Sequence, residues 1–216
     1  MLFRSPSYYC SMAKHIAVAG NIGAGKTTLT HLLSKHYGWE VQLEDMDDNP
    51  YISDFYEDMQ RWSFNLQVYF LTTRWKDIQK IRLGKQTVIQ DRTIYEDAYI
   101  FAPNLHAMGL MSTRDFENYK QLFDAISNQI ENPDLLIYLR AGIPKLVHQI
   151  QMRGRDYEDA IRLDYLKRLN ERYEAWIANY TGKLLIFNVD DMDFQENPEH
   201  AAEIIQKVES TLNGLF

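Results

Sequence analysis

A glycine-rich stretch near the start of the chain carries the residues best suited to phosphate chemistry. Residues 20–27 read Gly-Asn-Ile-Gly-Ala-Gly-Lys-Thr and match every fixed position of the pattern G-x-x-x-x-G-K-[ST]. In this pattern glycines let backbone N–H groups surround a phosphate, the lysine reaches the outer phosphates, and the threonine hydroxyl ligates Mg²⁺. We therefore expect a nucleoside triphosphate site at Gly20, Asn21, Ile22, Gly23, Ala24, Gly25, Lys26, Thr27 and Thr28.

Three further charged residues stand where predicted strands end. Glu44 follows one apolar segment, and Asp91 and Arg92 follow another. A carboxylate there can hold Mg²⁺ or accept a proton from an attacking hydroxyl, and an arginine can stabilise charge on a transferred phosphoryl group. Each residue alone is equally compatible with a solvated loop. Beside a phosphate loop on the same sheet edge, they join Lys26 as candidate catalytic residues.

One helical segment presents polar side chains among apolar ones. Gln67, Phe70 and Arg74 are spaced i, i+3 and i+7, so they share a helix face. An amide can offer a donor and an acceptor to the edge of a nucleobase, and an aromatic ring can stack on it. Periodicity alone favours the alternative, in which the apolar residues form ordinary core and Gln67 and Arg74 lie at its rim.

A cationic segment near residue 153 is the last candidate for phosphate contact. It reads Arg153-Gly154-Arg155, with Glu158 three residues later, and lies between two predicted helices. Basic residues in such a connection can close over phosphates. Taken alone, the segment is more typical of a solvated turn.

Alternating strand and helix patterns must position these residues. Short apolar runs predict strands at 15–19, 39–43, 87–90, 135–139 and 184–187. Helical patterns cover 28–35, 61–83, 93–109, 112–130, 144–152, 162–180 and 198–212. The alternation indicates an open α/β fold with a five-stranded parallel sheet flanked by helices, and ligands bind such sheets at the carboxyl ends of the strands.

Composition limits the class of protein. The 216 residues predict one domain, or one domain with a lid. A net charge of −7 without any Lys/Arg-rich run argues against a nucleic-acid polymer as partner. The single cysteine, Cys10, excludes an internal disulfide and suits a reducing cytoplasm. The sequence has no apolar run near the ~18 residues of a membrane span.

The first residues are expected to lie outside the domain. Residues 1–13 have little apolar patterning, so we expect a disordered extension, with Met12 as the natural start and the domain at 14–216.

Together these motifs resemble the deoxynucleoside kinase family, in the branch with deoxycytidine, deoxyguanosine and bacterial deoxyadenosine kinases. The resemblance runs from about residue 14 to the C-terminus. Its most specific segments are 20–27, 39–44, 61–67, 91–97, 99–102 and 153–155. It implies a P-loop kinase fold with an arginine-bearing lid at about 152–160. It also implies transfer of the γ-phosphoryl group of ATP, with Mg²⁺, to the 5′-hydroxyl of a deoxynucleoside.

The resemblance assigns roles around the reacting atoms. Glu44 would contact the 5′-hydroxyl and is a candidate base. Asp91 would hold Mg²⁺ with Thr27 or accept the proton, and the sequence does not divide those roles. Arg92 would steady the 5′-oxygen and the incoming phosphoryl group. Asp91 departs from the glutamate of animal members, which shortens its reach by one methylene.

The resemblance also assigns the substrate contacts. The 3′-hydroxyl would be held by Tyr56 and Glu158, and the base by Gln67, Arg74 and Asp97 with Phe101 stacking and Phe70 shaping the pocket. The lid arginines would be Arg153 and Arg155. The loop from 190 to 194, including Asp193 and Phe194, would lie near the adenine of ATP.

The base-reading residues favour a purine. Thymidine-preferring relatives lack the pair that Arg74 and Asp97 match, since that pair occupies the space of a 5-methyl group. Adenine and cytosine both present an amino donor beside a ring-nitrogen acceptor, which Gln67 can bind, and the amide can flip for guanine. We expect deoxyadenosine ahead of deoxyguanosine, with deoxycytidine next.

Two other classes of protein remain as alternatives. A nucleoside monophosphate kinase shares the phosphate loop and a lid, but it needs arginines around the acceptor phosphate. A non-enzymatic nucleotide-dependent switch needs γ-phosphate-sensing loops and a partner surface, and no guanine-recognition motif of the N/T-K-x-D kind occurs. The family resemblance further implies a homodimer formed through helices near 61–83 and 112–130.

Overall fold

A computed structural model describes residues 13–44, 49–154 and 161–214. Most of the expected N-terminal extension and the predicted lid residues Arg155 and Glu158 lie outside the described residues. The division into extension, domain and lid therefore stays a prediction.

Five parallel strands form the central sheet. They are β1 (His15–Gly20), β2 (Glu40–Gln42), β3 (Val88–Asp91), β4 (Leu135–Arg140) and β5 (Leu184–Asn188). Their spatial order is β2-β3-β1-β4-β5. This confirms the predicted parallel sheet, and each observed strand lies within about two residues of its predicted bounds.

The helices cover both faces of this sheet. They are α1 (Lys26–Tyr37), α2 (Ile52–Glu57), α3 (Met59–Leu83), α4 (Ile94–Glu96), α5 (Ala102–Ala107), α6 (Thr113–Ser127), α7 (Ile143–Arg153), α8 (Leu163–Ala178) and α9 (Pro198–Asn213). A π-helical turn, Asp97–Phe101, joins α4 to α5. Among the described residues, no helix is both long and apolar enough to cross a membrane.

Two apolar layers explain why the central strands read as continuous hydrophobic runs. Ile16 and Val18 of β1 pack in the layer that contains α1 and α9, whereas Ala17 and Ala19 face the layer built by α3, α5, α6 and α8. Successive strand residues point to opposite faces, so both faces of a covered parallel strand must be apolar.

The segment predicted as one helix at 93–109 is divided. It contains α4, the π-helical turn and α5, because the backbone N–H of Ala102 bonds to the carbonyl of Asp97 five residues earlier. The short helix α2 was not predicted. Its buried residues, Ile52 and Phe55, give only one helical spacing, which is too little periodicity to indicate a helix.

The predicted convergence at the sheet edge is present. Val18 of β1 is in register with Asp91 of β3, and the N–H of Arg92 donates to the Val18 carbonyl at 2.9 Å. The phosphate loop leaves β1 at Gly20, and Glu44 follows the end of β2 after one intervening residue, Leu43.

Candidate active site

The phosphate loop needs glycine at two positions because of its backbone and its neighbours. Gly23 has φ +83° and Gly25 has φ +92°, in the left-handed region that favours glycine. A Cβ at Gly23 would lie 2.7 Å from the backbone oxygen of Leu146 in α7. Gly25 is the N-cap of α1, so no side chain there covers the first N–H groups of the helix. Those groups can bind an anion.

Lys26 lies buried beside this loop. Its Nζ donates to the carbonyl of Asn21 at 3.1 Å, and its side chain is 8 % exposed. Burial lowers the pKa of Lys26 to about 8, helped by the Arg92 charge and opposed by Asp91 and nearby glutamates. Nearby carboxylates therefore do not fully compensate the positive charge of Lys26. A bound phosphate would supply the missing negative charge.

Thr27 and Asp91 form an oxygen pair at the sheet edge. The Thr27 hydroxyl donates to Asp91 Oδ2 at 2.5 Å. Asp91 Oδ1 is buried and has no hydrogen-bond partner within the described residues. A hydroxyl and a carboxylate oxygen fit Mg²⁺, which takes one or two protein ligands beside phosphates and waters. The described residues contain no cluster of three or more His, Cys, Asp or Glu that could form an all-protein cage.

Glu44 and Arg92 lie next to one another beside this pair. Glu44 Oε1 accepts from Arg74 Nη2 at 2.6 Å, and Oε2 lies 3.7 Å from Arg92 Nε. Burial alone would raise the pKa of Glu44, but the charges of Arg92, Arg74 and Lys26 outweigh it and lower the pKa. These three cations therefore favour the ionised form of Glu44.

Arg74 connects Glu44 to Asp97 from behind the site. Its Nε donates to Asp97 Oδ2, and its Nη1 donates to the carbonyl of Arg92 at 3.2 Å. Burial raises the pKa of Asp97 to about 6, with the Arg74 charge opposing that rise. The interpretation that Gln67 and Arg74 sit at a core rim is wrong, because they are 2 % and 4 % exposed.

One cavity of about 470 Å³ contains most of the predicted residues. Its lining includes Ile22, Lys26, Thr27, Glu44, Tyr56, Gln67, Phe70, Asp91, Arg92, Asp97, Phe101 and Arg153. Gln67 Oε1 is buried and lacks a hydrogen-bond partner among the described residues. The Gln67 side chain, with an acceptor that no described residue uses, therefore lines the same cavity as the phosphate loop lysine. Arg74 lines a smaller adjoining cavity instead.

The residues predicted near the adenine of ATP do not line this cavity. Phe194 packs on the phosphate loop, since a Cβ at Gly25 would lie 3.1 Å from its ring. The side chain of Asp193 accepts from the backbone N–H groups of Gln195 and Glu196 at 3.2 and 3.0 Å and so shapes the loop after β5.

Sequence reasoning missed two buried residues of the site. Tyr165 of α8 lines the cavity, and Glu96 lies behind the phosphate loop with no exposed surface. Burial raises the pKa of Glu96, opposed by the Arg92 and Lys26 charges. The signal for Glu96 was present, because Thr93 and Glu96 have the spacing of a helix capping box. No spacing indicated Tyr165.

The five-stranded parallel sheet and the phosphate loop between β1 and α1 define the chain as a protein of the P-loop kinase fold. Residues 16–213 match the family described as "Deoxynucleoside kinase". The chain belongs to the deoxynucleoside kinase family and is an enzyme that acts as a kinase.

Relatives and a solved structure agree with this assignment. The chain is 38 % identical to a deoxyadenosine/deoxycytidine kinase of Bacillus subtilis, over 92 % of this chain and 93 % of that protein. It is 34 % identical to a deoxyguanosine kinase of the same organism, covering 89 % and 98 %. The structure of deoxyadenosine kinase from M. mycoides with bound dATP superposes with a TM-score of 0.81 at 28 % identity, covering 91 % and 100 %. Family membership favours a deoxynucleoside kinase over both alternatives.

Proposed function

We propose that this enzyme transfers the γ-phosphoryl group of ATP to the 5′-hydroxyl of a deoxynucleoside, in cytoplasmic nucleoside salvage. The observation that carries the proposal is the single cavity that Lys26 and Gln67 both line. Lys26 can bind the phosphates of the donor, and the amide of Gln67 can bind a neutral base. One enclosure would therefore hold both reactants. Holding both reactants in one geometry removes much of the entropic barrier to transfer.

The donor side would be organised by the phosphate loop. The backbone N–H groups of residues 20–28 surround the phosphates, and Lys26 contacts their outer oxygens. Thr27 and Asp91 are the proposed Mg²⁺ ligands, supported by their 2.5 Å contact and by the unpaired Asp91 Oδ1. When bound, Mg²⁺ neutralises charge that develops on the phosphate oxygens.

The acceptor side would activate the 5′-hydroxyl. Glu44 is the proposed proton acceptor, because it lines the cavity beside Arg92, whereas Asp91 is engaged with Thr27 at the proposed Mg²⁺ site. As the 5′-oxygen bonds to the γ-phosphorus, its proton passes to Glu44 and the bond to the ADP oxygen breaks. Arg92 would steady the transferred group, and its Nε has no hydrogen-bond partner among the described residues.

The base would be read by the amide of Gln67. Its buried, unpartnered Oε1 can accept from the amino group of adenine or cytosine, while its Nε2 can donate to the adjacent ring nitrogen. Phe70 and Phe101 line the same cavity and supply apolar contact with the base. The names of the relatives include all three of these deoxynucleosides, deoxyadenosine, deoxycytidine and deoxyguanosine. We propose that this enzyme prefers deoxyadenosine, then deoxyguanosine, then deoxycytidine.

The remaining contacts follow from the family. Tyr56 would hold the 3′-hydroxyl together with Glu158, and Arg153 with Arg155 would close over the phosphates. Both Tyr56 and Arg153 line the cavity, which supports their roles. Asp193 and Phe194 would lie near the adenine of ATP, supported by the packing of Phe194 on the phosphate loop.

Release of ADP from ATP with and without each deoxynucleoside tests this function. We expect release that depends on the nucleoside, with the highest kcat/KM for deoxyadenosine. The Lys26→Ala variant should lose turnover while keeping its circular dichroism spectrum. Highest kcat/KM for thymidine would reject the base assignment. Preference for a deoxynucleoside monophosphate, or slow hydrolysis regardless of nucleoside, would reject the proposed reaction.

A further inference from the structure

Glu96 is a buried carboxyl that has no role in the chemistry above. Its Oε2 accepts from the backbone N–H of Thr93 at 2.6 Å and from the Thr93 hydroxyl at 3.3 Å, which completes the capping box of α4. Its Oε1 accepts from the hydroxyl of Tyr173 at 2.7 Å and, more weakly, from the N–H of Gly20 at 3.4 Å.

A helix cap accounts for only half of these contacts. The capping box uses Oε2 alone. Oε1 instead reaches two elements that are distant in sequence, since Gly20 ends β1 and Tyr173 lies on α8. Burying a carboxylate completely is costly unless its oxygens are hydrogen-bonded. Four donors around Glu96 meet that requirement.

The hydrogen-bond donors around Glu96 lie on both sides of the candidate site. Gly20 is the first residue of the phosphate loop, which would hold the phosphoryl donor, ATP. Thr93 directly follows Arg92, which lies 3.7 Å from Glu44 on the acceptor side. A second contact also fastens α8 to the loop, because Asn21 Nδ2 donates to Asn170 Oδ1 at 2.6 Å.

We propose that Glu96 is a positioning residue for phosphoryl transfer, whose carboxylate fixes the phosphate loop at Gly20 relative to the Arg92 segment and to α8. This inference rests on the proposed function, since it is that reaction which places donor and acceptor on the two sides. Misplacing reacting groups by about 1 Å can slow a reaction on the order of 100-fold. The two Oε1 contacts of Glu96, with Gly20 and Tyr173, are called the brace below, and they would contribute to the rate without touching the substrate.

The Glu96→Gln variant separates the brace from the cap. Glutamine also satisfies a capping box, so its amide oxygen can keep the contact with the Thr93 N–H. Its NH₂ group then faces the N–H of Gly20, and two donors cannot bond to each other. Tyr173→Phe removes the other Oε1 contact. Ser112→Ala is the matched control, because it removes the side-chain cap of α6 on the exposed surface.

Steady-state kinetics give the first measurement. We expect Glu96→Gln to lower kcat on the order of 10- to 100-fold with little change in the KM of the deoxynucleoside, because Gln67 is untouched. Tyr173→Phe should lower kcat by less, and Ser112→Ala should change only the melting temperature. A wild-type kcat in Glu96→Gln overturns the proposal. If that variant does not fold, an unchanged kcat in Tyr173→Phe overturns it.

Hydrogen exchange gives a second measurement that does not depend on turnover. In the ligand-free protein, the amides of residues 20–25 should exchange faster in Glu96→Gln and Tyr173→Phe than in the wild type and Ser112→Ala. Equal rates in all four proteins would overturn the brace even if the enzyme is active. Conversely, failure of the wild type to phosphorylate any deoxynucleoside would reject the proposed function and leave the exchange comparison valid.

Discussion

Arg92 is the residue at which the two sides of the candidate site meet. Its guanidinium lies 4.4 Å from the ring of Phe101 and 3.7 Å from Glu44, and its carbonyl accepts from Arg74. It is the only non-glycine residue with positive φ among the residues that the structure describes, at +67°. Such a backbone costs about 1–3 kcal/mol and persists only where its surroundings determine it. The hydrogen bond from its N–H to Val18, the one that its carbonyl accepts from Arg74 and the contact of its side chain with Phe101 provide that determination.

The charge of Lys26 predicts how ATP affinity depends on pH. Burial lowers the pKa of Lys26 to about 8, so the side chain loses its charge as the pH rises through that value. Since phosphate binding needs the charged form, ATP affinity should fall roughly tenfold between pH 7 and pH 9. Lys26→Arg stays charged over this range and should show a flatter profile, whatever its absolute affinity. Calorimetric titrations at three pH values would measure both; an affinity of the wild type that is constant over the range contradicts the assignment.

We expect the Asp97 side chain to influence which base the enzyme accepts. Asp97→Ala removes the carboxylate that binds Arg74 Nε but leaves the bond from Arg74 to Glu44, so catalysis should survive. We expect kcat/KM for deoxyadenosine to fall roughly 10-fold or more, and that for thymidine to rise as space opens for its methyl group. Asp97→Asn keeps the volume and an acceptor and serves as control. An unchanged order of the four deoxynucleosides in Asp97→Ala would remove Asp97 from base recognition.

At the scale of elements, the phosphate loop depends on its fit against α7. A Cβ at Gly23 would meet backbone atoms of Leu146, whereas at Gly38, with a similar positive φ of +72°, there is nothing within 4 Å. Local sequence was enough to predict this loop, because its pattern fixes its own geometry. It did not show the packing on α7, which comes more than a hundred residues later.

Two glycine substitutions test that fit. Gly38→Ala should lower the free energy of unfolding by about 1–2 kcal/mol through backbone strain alone, with ATP binding unchanged. Gly23→Ala adds a contact at 2.7 Å to a similar strain, so it should cost more and also weaken ATP binding. Chemical denaturation and calorimetry measure the two quantities. Equal effects of both variants on stability and binding would show that the contact with α7 is unimportant.

Helix periodicity predicted α3 well but gave the wrong environment for two of its residues. Asp58 caps α3 and Gly84 ends it, so the helix lies within two residues of the expected bounds. The buried position of Arg74 depends on partners elsewhere in the chain, Glu44 and Asp97, and Gln67 is buried in the wall of the cavity. A pattern within one helix cannot reveal such partners, and for the same reason the contact of Glu96 with Tyr173, 77 residues away, was not predicted.

At the scale of the whole molecule, the alternation of patterns predicted the sheet but not its strand order. The order β2-β3-β1-β4-β5 places β1 between β3 and β4, so the phosphate loop lies next to Asp91. Crossover connections determine that order through packing of the helices on both faces. Apolar runs carry no information about which strands are neighbours, and the resemblance to a family supplied the residue roles.

The expected homodimer through α3 and α6 gives a prediction at this scale. Leu122 of α6 is a large apolar side chain that is 42 % exposed. The buried residues of this helix are Tyr119 and Phe123. Leu122→Glu should weaken the dimer on the order of tenfold or more in sedimentation experiments. Ile186→Glu, at a similarly exposed apolar residue on β5, is the control and should leave association unchanged. A monomeric wild type at all concentrations would contradict the expected dimer.

A crystal structure with ADP and deoxyadenosine would show whether both reactants occupy the cavity that Lys26 and Gln67 line. We expect the diphosphate in the phosphate loop, the adenine hydrogen-bonded to the amide of Gln67, and the 5′-oxygen beside Glu44 in the same cavity. A deoxyadenosine bound elsewhere, or one whose base lies away from Gln67 and whose 5′-oxygen is turned from Lys26, would contradict the proposed reaction.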